Sequence, residues 1–174
     1  MSRKSTSDNL GFTERLRKLQ ESFDLALTNP ITPAKCNLTN YLVFRLGRES
    51  FAWPISCLHE VLVARKIIPV PGNPKNLHGV INYRNKVLTV TNLHFRLRLE
   101  PTAPGSKNTL LITKKLPTKT ALLVDQLIGF QEVAEENIKA KPFSLDPETS
   151  QMIVGEFLYE GKMITLLNPN TTFG

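Results

Sequence analysis

Apolar residues near the N-terminus recur at the spacing of an α-helix. Those that share one helical face, at steps of three or four residues, are Phe12, Leu16, Leu19, Phe23 and Leu27. Pro30 and Pro33 end the pattern, because proline cannot continue a helix. We therefore predict a disordered start over residues 1–9, an amphipathic helix over residues 12–28, and a linker that extends to residue 39.

From Tyr41 onward the apolar residues follow the shorter period of β-strands. The predicted strands cover residues 41–46, 50–55, 60–68, 77–82, 86–93, 109–113, 120–125, 127–133, 153–159 and 163–167. Turn residues join several of them into hairpins, among them Asn85, which tolerates a positive φ. Residues 134–139 are predicted to hold a helical turn and residues 142–151 a loop.

This order of elements predicts a mainly β fold. About ten short strands with regular turn signals indicate small barrels or a sandwich. The polar segment 100–108, which contains two prolines and a glycine, is predicted to separate two halves. No helix-length segments alternate with the strands, which argues against a doubly wound α/β fold.

Length and composition favour an ordinary globular protein. A chain of 174 residues with 41% hydrophobic residues can form one domain or two small packed subdomains. It contains no run of eighteen apolar residues and no apolar secretory segment, so we expect no membrane insertion. Cys36 and Cys57 lie far apart and form no CxxC motif, which favours reduced thiols in a cytoplasmic protein.

The net charge of +7 leaves more than one kind of partner open. Nucleic acid, an anionic membrane surface or an acidic protein would each be attracted to such a chain. The basic residues are spread out with little aromatic interleaving, which favours solvated strand ends and loops. A basic small-barrel nucleic-acid-binding protein is the alternative function, and it would need exposed aromatic side chains for base stacking.

The sequence offers no convincing catalytic or metal-binding constellation. It has no glycine-rich phosphate-binding motif. Cys57, His59 and Glu60 could be written as a metal cluster, but strand geometry would place Glu60 on the opposite face. Ser50, His59 and Asp125 could be written as a triad, but no nucleophile elbow surrounds a serine. We therefore expect no enzyme activity, no metal and no cofactor.

Three segments together resemble the CheW family of bacterial chemotaxis coupling proteins, over roughly residues 40–173. The first is the hairpin 41–55, followed by Glu60 within an apolar segment. The residues that match the family's long central motif are Pro71, Pro74, Gly79, Asn82, Arg84, Val90 and Leu93. Val124, Asp125 and Leu127 match its later motif.

The resemblance implies a fold and a function. It implies two small five-stranded SH3-like β-barrel subdomains around a shared core, with residues 1–39 outside the CheW-like domain of residues 40–174. The barrels are expected at about residues 40–100 and 106–170. It also implies a non-catalytic adaptor that links the cytoplasmic tip of chemoreceptors to the regulatory domain of a CheA-like histidine kinase. By position, Leu58, Glu60, Arg84 and Leu127 match the receptor-facing groove of the family.

The chain departs from the family pattern at four places. Asn85 replaces a glycine, and both residue types accept the left-handed turn conformation. Thr89 replaces a proline, Asn92 replaces an aspartate, and Arg48 stands where the first hairpin usually has an acidic residue. These changes preserve the predicted fold and bear on the identity of the partner.

Overall fold

The computed structural model describes residues 17–21, 37–63, 66–72, 74–100, 109–114, 120–141 and 146–172. The chain divides into two compact units, Met1–Cys36 and Asn37–Gly174. In the first unit residues 17–21 are helical, and the rest of the predicted helix over residues 12–28 lies outside the described residues. None of the helices in the described part of the chain combines the length and the apolar character needed to cross a membrane.

Short strands dominate the second unit. The strands are β1 (Leu38–Leu46), β2 (Glu49–Pro54), β3 (Leu58–Val63), β4 (Leu77–Tyr83), β5 (Lys86–Thr91), β6 (Thr109–Thr113), β7 (Ala121–Val124), β8 (Gln126–Ala134), β9 (Lys139–Ala140), β10 (Ile153–Tyr159) and β11 (Lys162–Leu167). The helices are α1 (Leu93–Arg96) and α2 (Pro147–Gln151), and the 3-10 turns are Ile55–Cys57 and Glu135–Asn137.

The two short α-helices were not predicted, although residues 134–139 do contain the expected helical turn. The helix α2 lies in the segment predicted as a loop. Asp146 caps it by accepting a hydrogen bond from the Thr149 backbone N–H, and Pro147 occupies the first turn. Asn92, in the family's aspartate position, caps α1 in the same way through the Phe95 N–H at 3.1 Å.

The strands form two sheets. Sheet A has the order β8-β1-β2-β11-β10-β9, and sheet B has the order β3-β6-β7-β5-β4. Most neighbours are antiparallel, but β2 pairs in parallel with β11 and β5 pairs in parallel with β7. An isolated bridge pairs Ile68 with Val80 at the outer edge of β4. The strand predicted over residues 60–68 ends at Val63 in the described residues, and beyond that point Ile68 alone forms a β-bridge.

The sheets do not divide the chain at residues 101–108, where the sequence pattern suggested a boundary between barrels. The chain leaves sheet A after Pro54, builds all of sheet B by Val124, and returns to sheet A at Gln126. Sheet A therefore joins strands from both ends of the described domain. Local periodicity does not report such long-range pairing, because it records only which face of each strand is apolar.

Both sheets share one strand topology, traversed from different starting points. Replacing β8, β1, β2, β11, β10 and β9 by β3, β6, β7, β5, β4 and the Ile68 bridge converts sheet A into sheet B. The β-bulges match as well. The bulge at Ile128 in β8 corresponds to that at His59 in β3, and the bulge at Val154 in β10 corresponds to that at His78 in β4. The domain is thus an internal repeat in which one copy is circularly permuted relative to the other.

Each sheet packs its own apolar cluster. The cluster of sheet B includes Ile81, Tyr83, Leu88, Val90, Leu110, Ile112 and Ala121. The cluster of sheet A includes Val43, Ala52, Val133, Phe157, Ile164 and Leu166. Burial of large apolar side chains such as these is the main favourable term in folding.

Candidate functional site

The hairpin between β4 and β5 presents Arg84 at its tip. Arg84 and Asn85 have φ angles of 48° and 61°, and Tyr83 pairs directly with Lys86. Two successive residues with positive φ define a type I′ turn, whose twist matches that of the flanking strands. Asparagine accepts this conformation more readily than most residues, so Asn85 serves in place of the family's glycine. The tip therefore has a defined geometry.

The strand β3 brings Glu60 to this tip. The Arg84 Nη2 atom lies 2.9 Å from the Glu60 Oε2 atom, which forms both a hydrogen bond and an ion pair. The Arg84 side chain is 68% exposed, whereas that of Glu60 is 26% exposed. The carboxylate is therefore held against the protein while most of the guanidinium faces solvent.

Tyr83 contacts both members of the ion pair. Its hydroxyl donates a hydrogen bond to the same Glu60 oxygen, and the Arg84 guanidinium lies over its ring at 5.1 Å from the centroid. Tyr83 itself is 9% exposed, and His59 meets its ring edge-on. Burial, and then the hydrogen bond and negative charge of Glu60, raise the pKa of Tyr83 to about 12. The phenol therefore stays protonated and remains a donor at neutral pH.

This arrangement can recognise an anion or a carbonyl group. A guanidinium has five N–H donors in a rigid fork. In the described structure Arg84 donates one hydrogen bond to Glu60, and its side chain is largely exposed, so its other donors are accessible to a partner. A carboxylate on a partner could accept two hydrogen bonds from such a group.

The other two predicted site residues, Leu58 and Leu127, make no direct contribution to this charged cluster. Leu58 is completely buried, so in the free protein it supports β3 from the core and presents no surface to a partner. Leu127 is half-buried on sheet A, where it pairs with Phe44. The bulges of the internal repeat place Leu58 and Leu127 at equivalent positions. The structure thus brings together Glu60 and Arg84 and adds Tyr83, which was not among the predicted site residues.

Asp125 has a structural environment of its own. It is located where the chain passes from sheet B to sheet A, and its Oδ2 atom accepts a hydrogen bond from the Gly47 backbone N–H at 2.6 Å. The His94 Nε2 atom lies 3.2 Å from the same carboxylate, and the His94 Nδ1 atom lies 3.0 Å from the Glu100 carbonyl oxygen. This motif aspartate therefore ties the first hairpin to α1 and faces His94.

Within the described residues, no group of three or more His, Cys, Asp and Glu side chains is arranged to hold a metal ion. A groove of about 550 Å³ between α1 and α2 is lined by both charged and apolar residues, including Phe95, Arg96, Arg98 and Glu148. Arg98 pairs there with Glu148 at 3.0 Å, so opposite charges meet at its rim.

Similar proteins are found in several bacteria. A chemotaxis protein CheW of Rhizobium meliloti (strain 1021) is 26% identical over 147 residues, which cover 82% of this chain and 95% of that protein. A protein PilI of Pseudomonas aeruginosa is 25% identical, over 66% of this chain and 64% of that protein. A chemotaxis protein CheA of Bacillus subtilis (strain 168) is 27% identical over 61% of this chain, which corresponds to 16% of that protein.

The fold is also found among solved structures. The scaffolding protein TtCheW from Thermoanaerobacter tengcongensis superimposes with a TM-score of 0.72 at 24% identity, covering 84% of this chain and 92% of that one. This likeness confirms the predicted mainly β fold with two SH3-like subdomains, although the strand orders found here are those of open sheets rather than of two closed barrels. Residues 40–174 match the family model described as CheW-like domain, and the chain therefore belongs to the CheW-like domain family.

Proposed function

We propose that this protein is a non-catalytic adaptor in chemotaxis-type signal transduction, which couples chemoreceptors to a CheA-type histidine kinase in the cytoplasm. Family membership and the CheW proteins among its relatives support this assignment. The observation that carries it is the ion pair that joins Glu60 on β3 to Arg84 at the tip of the β4–β5 hairpin, whose sequence matches the family's central motif. An adaptor needs such a fixed charge, because charges set the register of a docked partner.

The receptor tip is the partner that we assign to this hairpin. Arg84 offers most of its donors to solvent, and Glu60 holds the guanidinium in a defined direction. A helical partner could present a carboxylate or terminal carbonyl groups to this fork. Half-buried Leu127 would contribute apolar contact from sheet A, and buried Leu58 would support the strand that carries Glu60.

The kinase partner is supported by a different similarity. A stretch of the CheA protein of Bacillus subtilis resembles 107 residues of this chain, so a domain of the same family occurs within such a kinase. We propose that this regulatory domain binds the adaptor on a surface separate from the β4–β5 hairpin. Charge changes at Arg84 should then affect the two partners unequally.

The test is a pair of titrations with Arg84→Glu, one against a soluble receptor fragment that contains the signalling tip and one against the kinase regulatory domain. Arg84 is exposed, so the substitution should change the free energy of unfolding by about 0.5 kcal/mol or less. Receptor binding should weaken about five-fold or more, because the new charge opposes docking and repels Glu60. Kinase binding should stay within about two-fold, the change expected of a charge outside the interface.

The matched control is Lys162→Glu, which makes a comparable charge change at the exposed start of β11, beside the tip of the β10–β11 hairpin. It should leave both affinities nearly unchanged. Equal losses for both partners with Arg84→Glu would indicate damage to the fold, and unchanged binding to both would remove Arg84 from the site.

The alternative, a nucleic-acid-binding barrel, is favoured only by the net charge of +7. Stacking on bases needs exposed aromatic faces. Of the large exposed apolar side chains in the described structure, Phe95 is the aromatic one, and Phe44, Trp53 and Phe157 are buried. A mobility-shift titration over a salt series should show weak binding that salt abolishes, and tight binding at physiological salt would overturn the adaptor proposal.

A further inference from the structure

The internal repeat supplies a second copy of the candidate site with different residues. Its bulges and turns place Gly129 at the position of Glu60, Tyr159 at that of Tyr83, and Glu160 at that of Arg84. The two tips have the same backbone form, since Glu160 has a φ angle of 46° and is followed by Gly161 at 74°. The molecule therefore contains two equivalent hairpins, of which one carries an acid–base pair.

The tyrosine ring has a packing role in both hairpins. Tyr83 belongs to the apolar cluster of sheet B, and Tyr159 packs against that of sheet A. Packing explains why an aromatic ring occupies this position. It does not explain the hydroxyl contact of Tyr83 with Glu60, because Gly129 has no side chain that could accept an equivalent bond.

We propose that Tyr83 is a positioning residue of the partner-binding site, whose hydroxyl fixes the Glu60 carboxylate and thereby aims the Arg84 guanidinium at the partner. This inference rests on the proposed function and deepens it by adding a residue to the site. It separates two roles of one side chain, since the ring packs and the hydroxyl orients.

The geometry gives the physical reason. An exposed ion pair on its own is weak, because two mobile side chains must be held in one geometry. Here one oxygen of Glu60 accepts from both the Tyr83 hydroxyl and the Arg84 Nη2 atom. The phenol is nearly buried and cannot move far, so it anchors the carboxylate. The ring beneath the guanidinium adds a cation–π contact at 5.1 Å, which limits the motion of Arg84 further.

Tyr83→Phe tests this role, with Tyr159→Phe as the matched control. Both substitutions keep the ring and remove one hydroxyl from equivalent positions. Tyr83→Phe should weaken binding of the receptor signalling-tip fragment about five-fold, as expected when one hydrogen bond of ordinary strength is lost. Tyr159→Phe should leave that affinity unchanged. Equal affinities for the two variants would overturn the proposal.

A double-mutant cycle distinguishes positioning from general packing. If Tyr83 acts through Glu60, then Tyr83→Phe should weaken receptor binding much less in a Glu60→Ala background, which removes the acceptor, than in the original protein. Additive losses would show that the hydroxyl acts independently of Glu60 and would overturn the proposal. If the original protein does not bind the receptor tip at all, the proposed function is wrong. If Arg84→Glu weakens receptor binding but Tyr83→Phe does not, the proposed function stands and only the positioning role of Tyr83 is wrong.

A transplant provides a readout that does not depend on any partner. The double substitution Gly129→Glu and Glu160→Arg should rebuild the same three-residue arrangement around Tyr159. Gly129 can accept a side chain, because a Cβ atom added there meets no atom within 4 Å. A crystal structure of the double variant should show the Tyr159 hydroxyl donating to the introduced carboxylate, with the introduced guanidinium on the same oxygen. A structure in which the three groups stay apart would show that these residues do not form a unit.

Discussion

Gly79→Ala is the substitution for which the structure gives the sharpest stability prediction. Gly79 lies in β4 at the bulge beside the Ile68 bridge. A Cβ atom at this position would lie 2.5 Å from the Ile68 carbonyl oxygen and 2.9 Å from the Ile67 Cγ2 atom. Backbone cannot yield as a flexible side chain does, so the segment that carries Ile68 must move away.

The cost follows from the contacts that this movement breaks. Ile68 and Val80 exchange two backbone hydrogen bonds, of 2.8 and 2.9 Å. At about 0.5–1.5 kcal/mol each, their loss should lower the free energy of unfolding by about 1–3 kcal/mol. For a chain of this size that corresponds to a fall in Tm of roughly 2–12 °C. The amide protons of Ile68 and Val80 should also exchange faster with solvent.

Thermal unfolding and amide hydrogen exchange measure both effects, and Gly129→Ala is the control. Gly129 is also a strand glycine, but an added Cβ meets nothing within 4 Å and its φ is not left-handed. Gly129→Ala should be neutral or should stabilise by up to about 1 kcal/mol, because alanine restricts the unfolded chain. If Gly79→Ala has the same Tm as Gly129→Ala, and the Ile68 amide proton exchanges as slowly as in the original protein, the reasoning about close approach is wrong.

Three further predictions concern pH and the two sheets. Because the pKa of Tyr83 is raised from 10.0 to about 12, its contribution to stability is complete below pH 10 and is lost as the pH rises through about 12. The free energy of unfolding, measured with urea, should therefore fall over this pH range, and it should fall less in Tyr83→Phe. Asp125→Ala should destabilise by about 1.5–3 kcal/mol, since it leaves the Gly47 N–H without its charged acceptor, and retention of full stability would argue against this tie. Phe157→Ala should lower the free energy of unfolding by about 3–5 kcal/mol, because the side chain is buried. Unfolding can be followed by the fluorescence of Trp53, the single tryptophan, and a loss below about 1 kcal/mol would contradict the burial that the structure shows.

Local signals in the sequence predicted the hairpins well. Asn85 and Gly161 mark turns whose backbone needs positive φ, and the flanking strands alternate as expected. The Asp146–Pro147 start of α2 is a local signal too, because it places an N-cap residue before a proline in the first turn, although the segment was predicted as a loop. Where a structural choice depended on neighbours within a few residues, the sequence was informative.

Contacts between distant segments could not be predicted from patterns. The pairing of β2 with β11 and of β1 with β8 depends on which strand edges meet after the chain has folded. The family resemblance named Glu60 and Arg84 as members of one groove, but it did not reveal Tyr83, because a strand-end tyrosine is typical of an ordinary core residue. Its hydroxyl gains significance only from the carboxylate that β3 brings beside it.

The discontinuity of sheet A has a consequence for the order in which the protein folds during synthesis. Sheet B is encoded by one continuous stretch, Leu58–Val124, and can form as soon as that stretch has left the ribosome. The hairpin of β1 and β2 is made earlier, but its neighbours β8 and β11 are made after the whole of sheet B. A two-stranded hairpin alone is marginal in water. The nascent chain must therefore carry a hairpin whose outer edges lack partners until β8 and β11 have been made, which is the interval in which a chaperone would have to protect it.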